Sequence, residues 1–599
     1  MLRNQGIFRV AFMACLMATD LLPAQTFRDP SIGRNLPGGQ PMRAPDEFAE
    51  AQAPEVSKPP TLPVIQTIGR PGRSHLNGVL FSSTPESVQG GQPQSVPVGV
   101  TTEGIALLEI SKAFQEKLAK EYLGQPFTEE LVQQLSQETM SWYFKRNRPV
   151  VFIQPLVANF STGTLEILVI EAVLGEKSGE GARWFSNQQL ASQIRIQPGQ
   201  HIDRRKLVND LTWINENPFL RSDAIFAPGT VPGTTNIILE TQDRFPLRVY
   251  AGIENTGSEQ TGAWRWLAGA NWGNAFYLGH QFNYQFSAAF EDISSQPVHA
   301  FSYIVPLPWR HKLAVYYTLA FSNIDIAGDL GVDDFSFEGY SSQLSPRYTI
   351  PIGNLAGSVL QEVVLGMDWK LSDLGFLQGD IEIPTNETAV WQFMAGYNIG
   401  VTDSFGRTTF GFEVFWSPGG IGPRNTDEEF QLVDPRLTAN YLYSLLRLGR
   451  TTRLPWDFSL ITQASGQVAS GALLSSEQLA IGGYGTVRGY QERVLFGDQG
   501  VVINAELRTP PISPMGLFGI ERISDELQFL AFWDFGLVSS RDPLPGEEDV
   551  YYITSVGVGV RYAIGANLSV RCDVGFPLVN PNLGFDVAPR ASVGVVVGF

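Results

Sequence analysis

The sequence predicts a transmembrane β-barrel of about 16 antiparallel strands preceded by two small α+β modules. Three observations predict it. First, no run of about 18 apolar residues occurs anywhere in the chain, which excludes a bundle of membrane-spanning helices but not a barrel, whose strands are about 10 residues long and alternate. Second, helical periodicity ends near Phe245, and the remainder reads as short alternating strands. Third, the connections between those strands alternate between short and long, as in barrels with turns on one side of a membrane and loops on the other.

Composition agrees. The chain has 599 residues, with 60 Gly, 11% aromatic residues and 17% charged residues, fewer charges than the roughly 25% of soluble domains. The net charge of −18 argues against nucleic acid as a partner. Only Cys15 and Cys572 are present, so no internal disulfide is expected once a leader is removed. That leader is residues 1–24: Arg3 and Arg9 precede a short apolar stretch from Phe12 to Leu22, and cleavage is expected after Ala24.

Residues 25–98, rich in Pro, Gly, Ser and Gln, read as an extended linker with room for one short strand at Leu76–Phe81. Residues 99–173 form the first module. Ile105–Ile110 is strand-like. Phe114–Tyr122 reads as a helix stopped by Leu123-Gly124-Gln125-Pro126. A second helix begins at Thr128, with Glu129 and Glu130 in its first turn, where acidic side chains complement the helix dipole. Leu131, Leu135 and Trp142 share one face. Val150–Ile153 and Leu165–Ala172 follow as strands, giving the order β-α-α-β-β. Residues 174–244 repeat it. Asn187–Ile194 is a helix, Asp203 caps a second helix striped by Leu207, Leu211 and Ile214, and Ala224–Phe226 and Asn236–Glu240 are strands. Gln125-Pro126-Phe127-Thr128 and Gly199-Gln200-His201-Ile202-Asp203 occupy matching places before each second helix.

Residues 245–599 form the barrel, with candidate strands from 247–256 through 455–467, 499–508 and 527–538 to 590–599. Alternation is cleanest at the end. Val556, Val558, Val560 and Tyr562 oppose Gly557, Gly559 and Arg561, and Val593, Val595, Val597 and Phe599 oppose Ser592, Gly594 and Gly598. An apolar lipid row beside a small or polar lumen row is what a membrane barrel requires. If the first strand rises from the periplasm, the inner turns are mostly short, as at Leu307–His311 and Thr402–Arg407. The outer loops are long and acidic, as at Ile324–Tyr340, Leu374–Glu387, Pro418–Arg436 and Ser539–Val550. An even strand number returns Phe599 to the periplasmic side, in phase with the lipid row, where it reads as a barrel-assembly signal.

The connection 468–498 carries Ile481-Gly482-Gly483-Tyr484-Gly485-Thr486-Val487-Arg488-Gly489-Tyr490. Its glycines permit tight bends, yet Val487 and Tyr490 suit a packed loop better than a solvated tip. Downstream, Phe532-Trp533-Asp534-Phe535-Gly536 alternates so that Phe529, Ala531, Trp533, Phe535 and Leu537 face outward and Phe532, Asp534 and Gly536 face inward. An unpaired carboxylate in a narrow lumen is costly, and Arg488 could satisfy it bidentately. Gly536 would leave room for the loop and Phe532 would pack beside it. Asn504, Glu506 and Arg508 read as an inward, solvated row of the preceding strand.

At these residues the sequence resembles a known family. Val487-Arg488-Gly489-Tyr490 matches the VRGY motif of the outer-membrane protein assembly and secretion superfamily, and Phe532–Gly536 matches its second barrel motif, F-x-D/G/N-x-G. The paired β-α-α-β-β units are similar to polypeptide-transport-associated (POTRA) domains. Together, over roughly residues 100–599, the chain resembles the two-partner secretion transporters of the hemolysin secretion and activation family. The resemblance implies an outer-membrane protein with POTRA domains in the periplasm. It further implies a lumen loop that stays anchored or switches during export, and an unfolded partner protein carried through the barrel. Outer-membrane lipid and the barrel assembly machinery are the other implied partners. The alternatives are a barrel assembly or insertion factor and a passive porin-type channel. The family often begins with a plug helix, for which Asp46–Ala53 is the sole, short candidate. No phosphate-binding loop, H-E-x-x-H or G-x-S-x-G motif is found and the five His are scattered, so no catalysis, cofactor or metal is expected.

Overall fold

The computed structural model describes residues 66–83, 98–103 and 109–599, apart from 232, 258–261, 327–334, 354–358, 379–380, 384–386, 521, 544–547 and 582–586. The leader 1–24, the helix candidate Asp46–Ala53 and most of the linker lie outside the described residues. The chain divides into two units at Phe245/Pro246.

The first unit contains two sheets. One is five-stranded, in the order Gln66–Ile68, Val151–Asn159, Thr164–Glu171, Gly78–Ser82, Gly99–Glu103. The short strand expected at Leu76–Phe81 is Gly78–Ser82, and the linker reading is corrected by a further strand, Gln66–Ile68, and by the place of both in this sheet. Gly78–Ser82 pairs in parallel with both Gly99–Glu103 and Thr164–Glu171, and Leu76, Val79 and Phe81 are fully buried. The first described strand of the module is Gly99–Glu103, and most of the expected strand Ile105–Ile110 lies outside the described residues. Helices Lys112–Tyr122 and Glu129–Lys145 follow. The Thr128 hydroxyl accepts from the Leu131 N–H and caps the second. Phe114, Leu118, Leu131, Leu135 and Tyr143 face Ile153, Leu165, Ile167 and Val169 across the core. Each buried side chain contributes on the order of 2 kcal/mol. The Tyr143 hydroxyl donates to Glu171 at 2.9 Å. Burial, reinforced by that carboxylate, pushes its pKa up, so it stays a donor.

The second sheet orders Val173–Glu180, Thr234–Asp243 and Leu220–Pro228, with helices Asn187–Ser192 and Arg204–Ile214. Asp203 caps the latter by accepting from the Lys206 N–H. Strands longer than the apolar cores suggested are the main difference from the sequence reading.

The second unit is a closed antiparallel barrel. Its 16 full strands run from Leu247–Glu254 to Arg590–Gly598, and a short segment, Ile381–Ile383, pairs with the tip of the seventh. The central strands exceed expectation. Lys312–Ile326, Phe335–Pro351 and Val359–Gln378 extend into what the sequence suggested were the outer loops Ile324–Tyr340 and Leu374–Glu387. Length and polarity mimicked loops there, but continued main-chain pairing satisfies the backbone. The loop Pro418–Arg436 carries a short helix, Asp427–Val433, whose Phe430 is fully buried.

Candidate functional site

The site is the connection between the eleventh strand, Ser459–Ala469, and the twelfth, Gln499–Arg508. Its base is a miniature hairpin of Leu479–Ile481 with Leu495–Gly497. Asp498 fixes the hairpin by accepting from the N–H groups of Leu473 (2.9 Å) and Arg541 (2.7 Å). The tip folds against the inner wall of strands twelve to fifteen, where every second residue faces the lumen. On the thirteenth strand, Asp525–Ser539, Phe532, Asp534 and Gly536 are buried while Phe529 and Trp533 are exposed on the opposite face.

Arg488 grips this wall. Its Nε donates to Asp534 Oδ2 at 2.7 Å and Nη2 to Oδ1 at 2.8 Å, a bidentate pair, and its backbone N–H donates to Oδ2 at 3.1 Å. Nη1 donates to Glu506 Oε1 at 2.6 Å and lies 3.9 Å from Asp573. The guanidinium stacks 3.6 Å from the centroid of the Phe532 ring. Arg488 is 4% exposed and Asp534 0%, so each charge depends on its partners. Asn504 Nδ2 donates to Asp534 at 2.8 Å and to the Thr486 carbonyl at 2.5 Å. Asn504 and Glu506 therefore belong to this cluster rather than to a solvated row, and Arg508 is held by Glu506 at 2.6 Å.

The flanking motif residues fit into the same wall. Val487 is fully buried, and a Cβ on Gly536 would lie 2.9 Å from its Cγ2. Gly489 has φ +94°, and a Cβ on Gly575 would stand 2.5 Å from its nitrogen, so two glycines meet where no side chain fits. Tyr490 spans outward: its hydroxyl donates to the carbonyls of Thr554 (3.0 Å) and Val579 (2.7 Å). Gly482 and Gly483, at φ +109° and +88°, pack against Gln491, Val494 and Glu492 as a tight turn.

Sequence reasoning missed two features. Asp573, Arg571 and Gly575 share the lumen row of the fifteenth strand, Leu568–Pro577, and the alternation of Val570, Cys572, Val574 and Phe576 carried that signal. Asp573 is fully buried and binds Arg561 through both oxygens, at 2.8 and 2.9 Å. The other is Glu477, fully buried at the root of the loop. It pairs with Lys370 and accepts from Tyr443 (2.8 Å) and Gln392 (3.1 Å). The loop is thus held on two arcs of the barrel, strands seven to ten and twelve to fifteen. No local pattern marks Glu477. Phe599 is exposed, and its backbone exchanges two hydrogen bonds with Val249, closing the barrel end. Among the described residues, no three His, Cys, Asp or Glu side chains are placed to hold a metal ion.

A closed 16-strand barrel with a charged loop fixed in its lumen, preceded by tandem β-α-α-β-β modules, defines an outer-membrane transporter with periplasmic POTRA domains. Residues 233–562 match the model of the haemolysin secretion/activation proteins ShlB/FhaC/HecB, and the chain belongs to that family of two-partner secretion transporters. Among curated proteins it is 20% identical over 556 residues to the heme/hemopexin transporter protein HuxB of Haemophilus influenzae (strain 86-028NP), covering 86% of this chain and 93% of that protein. It is 21% identical over 524 residues to the outer membrane transporter CdiB-2 of Burkholderia pseudomallei (strain 1026b), covering 83% and 84%. Among solved structures, CdiB from Escherichia coli aligns with a TM-score of 0.68 at 16% identity, covering 92% of this chain and 95% of that one. CdiB from Acinetobacter baumannii aligns at 0.60 and 17% identity, covering 89% and 91%.

Proposed function

We propose that this protein exports an unfolded partner protein through its barrel, and that the loop carrying Arg488 must leave the lumen wall for the chain to pass. The observation that carries this reading is the position of the loop. It holds a multiply bonded arginine against the inner wall, where a transiting chain would otherwise run. Unfolded transit suits the geometry, because a folded domain would not share the lumen with the loop. The POTRA modules capture the partner by strand addition, which accepts varied sequences because main-chain pairing supplies the affinity. The edge strand Leu220–Pro228 pairs on one side only among the described residues and exposes Ile225 and Phe226. Folding of the partner outside gives export its direction without nucleotide. The motif residues Val487, Arg488, Gly489 and Tyr490, with Phe532, Asp534 and Gly536, are the moving contact. Phe599 serves recognition by the barrel assembly machinery.

The test is Arg488→Ala in a strain that also expresses the secreted partner protein. Export should differ from wild type at least about tenfold, the cost of one lost charge-assisted anchor, while heat-modifiable migration shows a folded barrel. Normal export from the folded variant would sink the claim that the motif serves transport.

A further inference from the structure

The first and last strands close the barrel through the shortest main-chain ladder between full strands among the described residues. Only five register pairs, from Glu254↔Gly594 to Tyr250↔Gly598, join them, against fifteen between the thirteenth and fourteenth strands. Two arginines reinforce the lumen side, each crossing an inward glycine of the last strand. Arg571 on the fifteenth strand and Glu254 on the first flank Gly594 in one register row. Arg571 Nη2 donates to Glu254 Oε2 at 2.7 Å over the top of Gly594, where an added Cβ would come within 2.5 Å of Arg571 Nε. Lower down, Arg248 of the first strand passes Gly598, where a Cβ would lie 2.7 Å from Nη2, and donates to the Ala566 carbonyl at 3.2 Å.

The upper crossing touches the loop. The Arg571 guanidinium lies 3.8 Å from the ring centroid of Tyr484, which stands four residues before Arg488. Tyr484 is held in turn by its N–H donating to Glu492 at 2.7 Å.

From this geometry we infer that Tyr484, Arg571 and Glu254 are positioning residues that couple the lumen loop to the closure between the first and last strands. A docked loop covers the Arg571 guanidinium and fixes it over Gly594, in reach of Glu254. When the loop withdraws, Tyr484 leaves. Water then has freer access to the guanidinium, the pair weakens toward the value of an exposed ion pair, and the upper end of the five-pair ladder is left to the hydrogen bonds of Asn255 with Ala591 and Val593. The inference rests on the reading that the loop moves, but its test needs no partner protein and no export.

The experiment is amide hydrogen exchange on the full-length protein in lipid nanodiscs, comparing wild type, Tyr484→Leu, Glu254→Gln and the double variant. Tyr484→Leu keeps an apolar side chain and removes the ring face together with the phenol hydroxyl. Each single variant should raise exchange at residues 251–254 and 593–596 by about threefold or more, the order of one lost cation–π or partly exposed charge contact. Residues 249 and 599, beside the Arg248 crossing, should stay protected. Because both substitutions act through Arg571, the double variant should match the larger single effect. Unchanged exchange at those segments in Tyr484→Leu, or single effects that multiply in the double variant, would overturn the coupling. Altered export in Arg488→Ala with no seam effect in Tyr484→Leu would defeat this inference and leave the proposed function standing.

Discussion

Arg488 stands among three carboxylates, those of Asp534, Glu506 and Asp573, and this inequality predicts how the cluster fails. Removing the arginine strands Asp534, fully buried, with only Asn504 and the Arg488 backbone N–H to serve it. Removing Asp534 leaves Arg488 still paired with Glu506. Arg488→Ala should therefore cost about 3–5 kcal/mol of local stability, and Asp534→Ala less. The double variant should be milder than the sum, because no lone buried charge is left. The temperature at which each variant loses its compact migration on electrophoresis measures the order. If Asp534→Ala were as damaging as Arg488→Ala, Glu506 would not be a supporting partner. The pairing of Arg488 with Asp534 was legible because two motifs announced it. Asp573 and Glu506 were not recognised as partners, since alternation says which way a side chain faces but not which neighbour it meets.

At the level of elements, the loop lies in a bed of glycines: Gly536, Gly557 and Gly575, on three successive strands, are all buried on the lumen side. Gly557 accommodates the Phe532 ring, whose face carries Arg488. A side chain at Gly536 would meet Val487 and Ile481 at once. Gly536→Val should displace the loop without touching a charge, since valine suits a strand. Single-channel conductance in planar bilayers should rise, because a displaced loop no longer packs the lumen. Conductance equal to wild type would mean that the bed does not decide docking. The strands of this wall were readable from period-two alternation, and the helices at Arg204 and Glu129 from their caps. Gln66–Ile68 was not, and Gly78–Ser82 was legible only as a short strand at Leu76–Phe81, not as a member of this sheet. They pair in parallel with strands about 90 residues away in sequence, without a hairpin turn to announce them, and they sit in a Pro- and Gly-rich setting that otherwise spells linker.

For the whole molecule, the contrast is between ladders that must hold and edges that must stay open. The barrel hides nearly all its backbone in closed pairing, as lipid demands. The second POTRA sheet leaves Leu220–Pro228 paired on one side, with Ile225 and Phe226 exposed at 43% and 39%. Soluble proteins usually blunt such an edge with lysine or proline to prevent unwanted pairing. Arg221, Asp223 and Pro228 flank this edge, but its middle, residues 224–227, is apolar and suits strand addition. The prediction is that Ile225→Lys with Phe226→Lys slows export while sparing the barrel. Neither side chain belongs to the buried cluster of that module, which is built from Leu174, Leu190, Ile194, Leu207, Ile214 and Leu239, so the fold should survive. Pulse–chase secretion of the partner should slow about tenfold, as expected from losing one or two apolar strand contacts of about 1 kcal/mol each. Heat-modifiable migration and the seam exchange rates should match wild type. If export proceeded at the normal rate, capture would have to occur away from this strand, and the apolar edge would need another explanation.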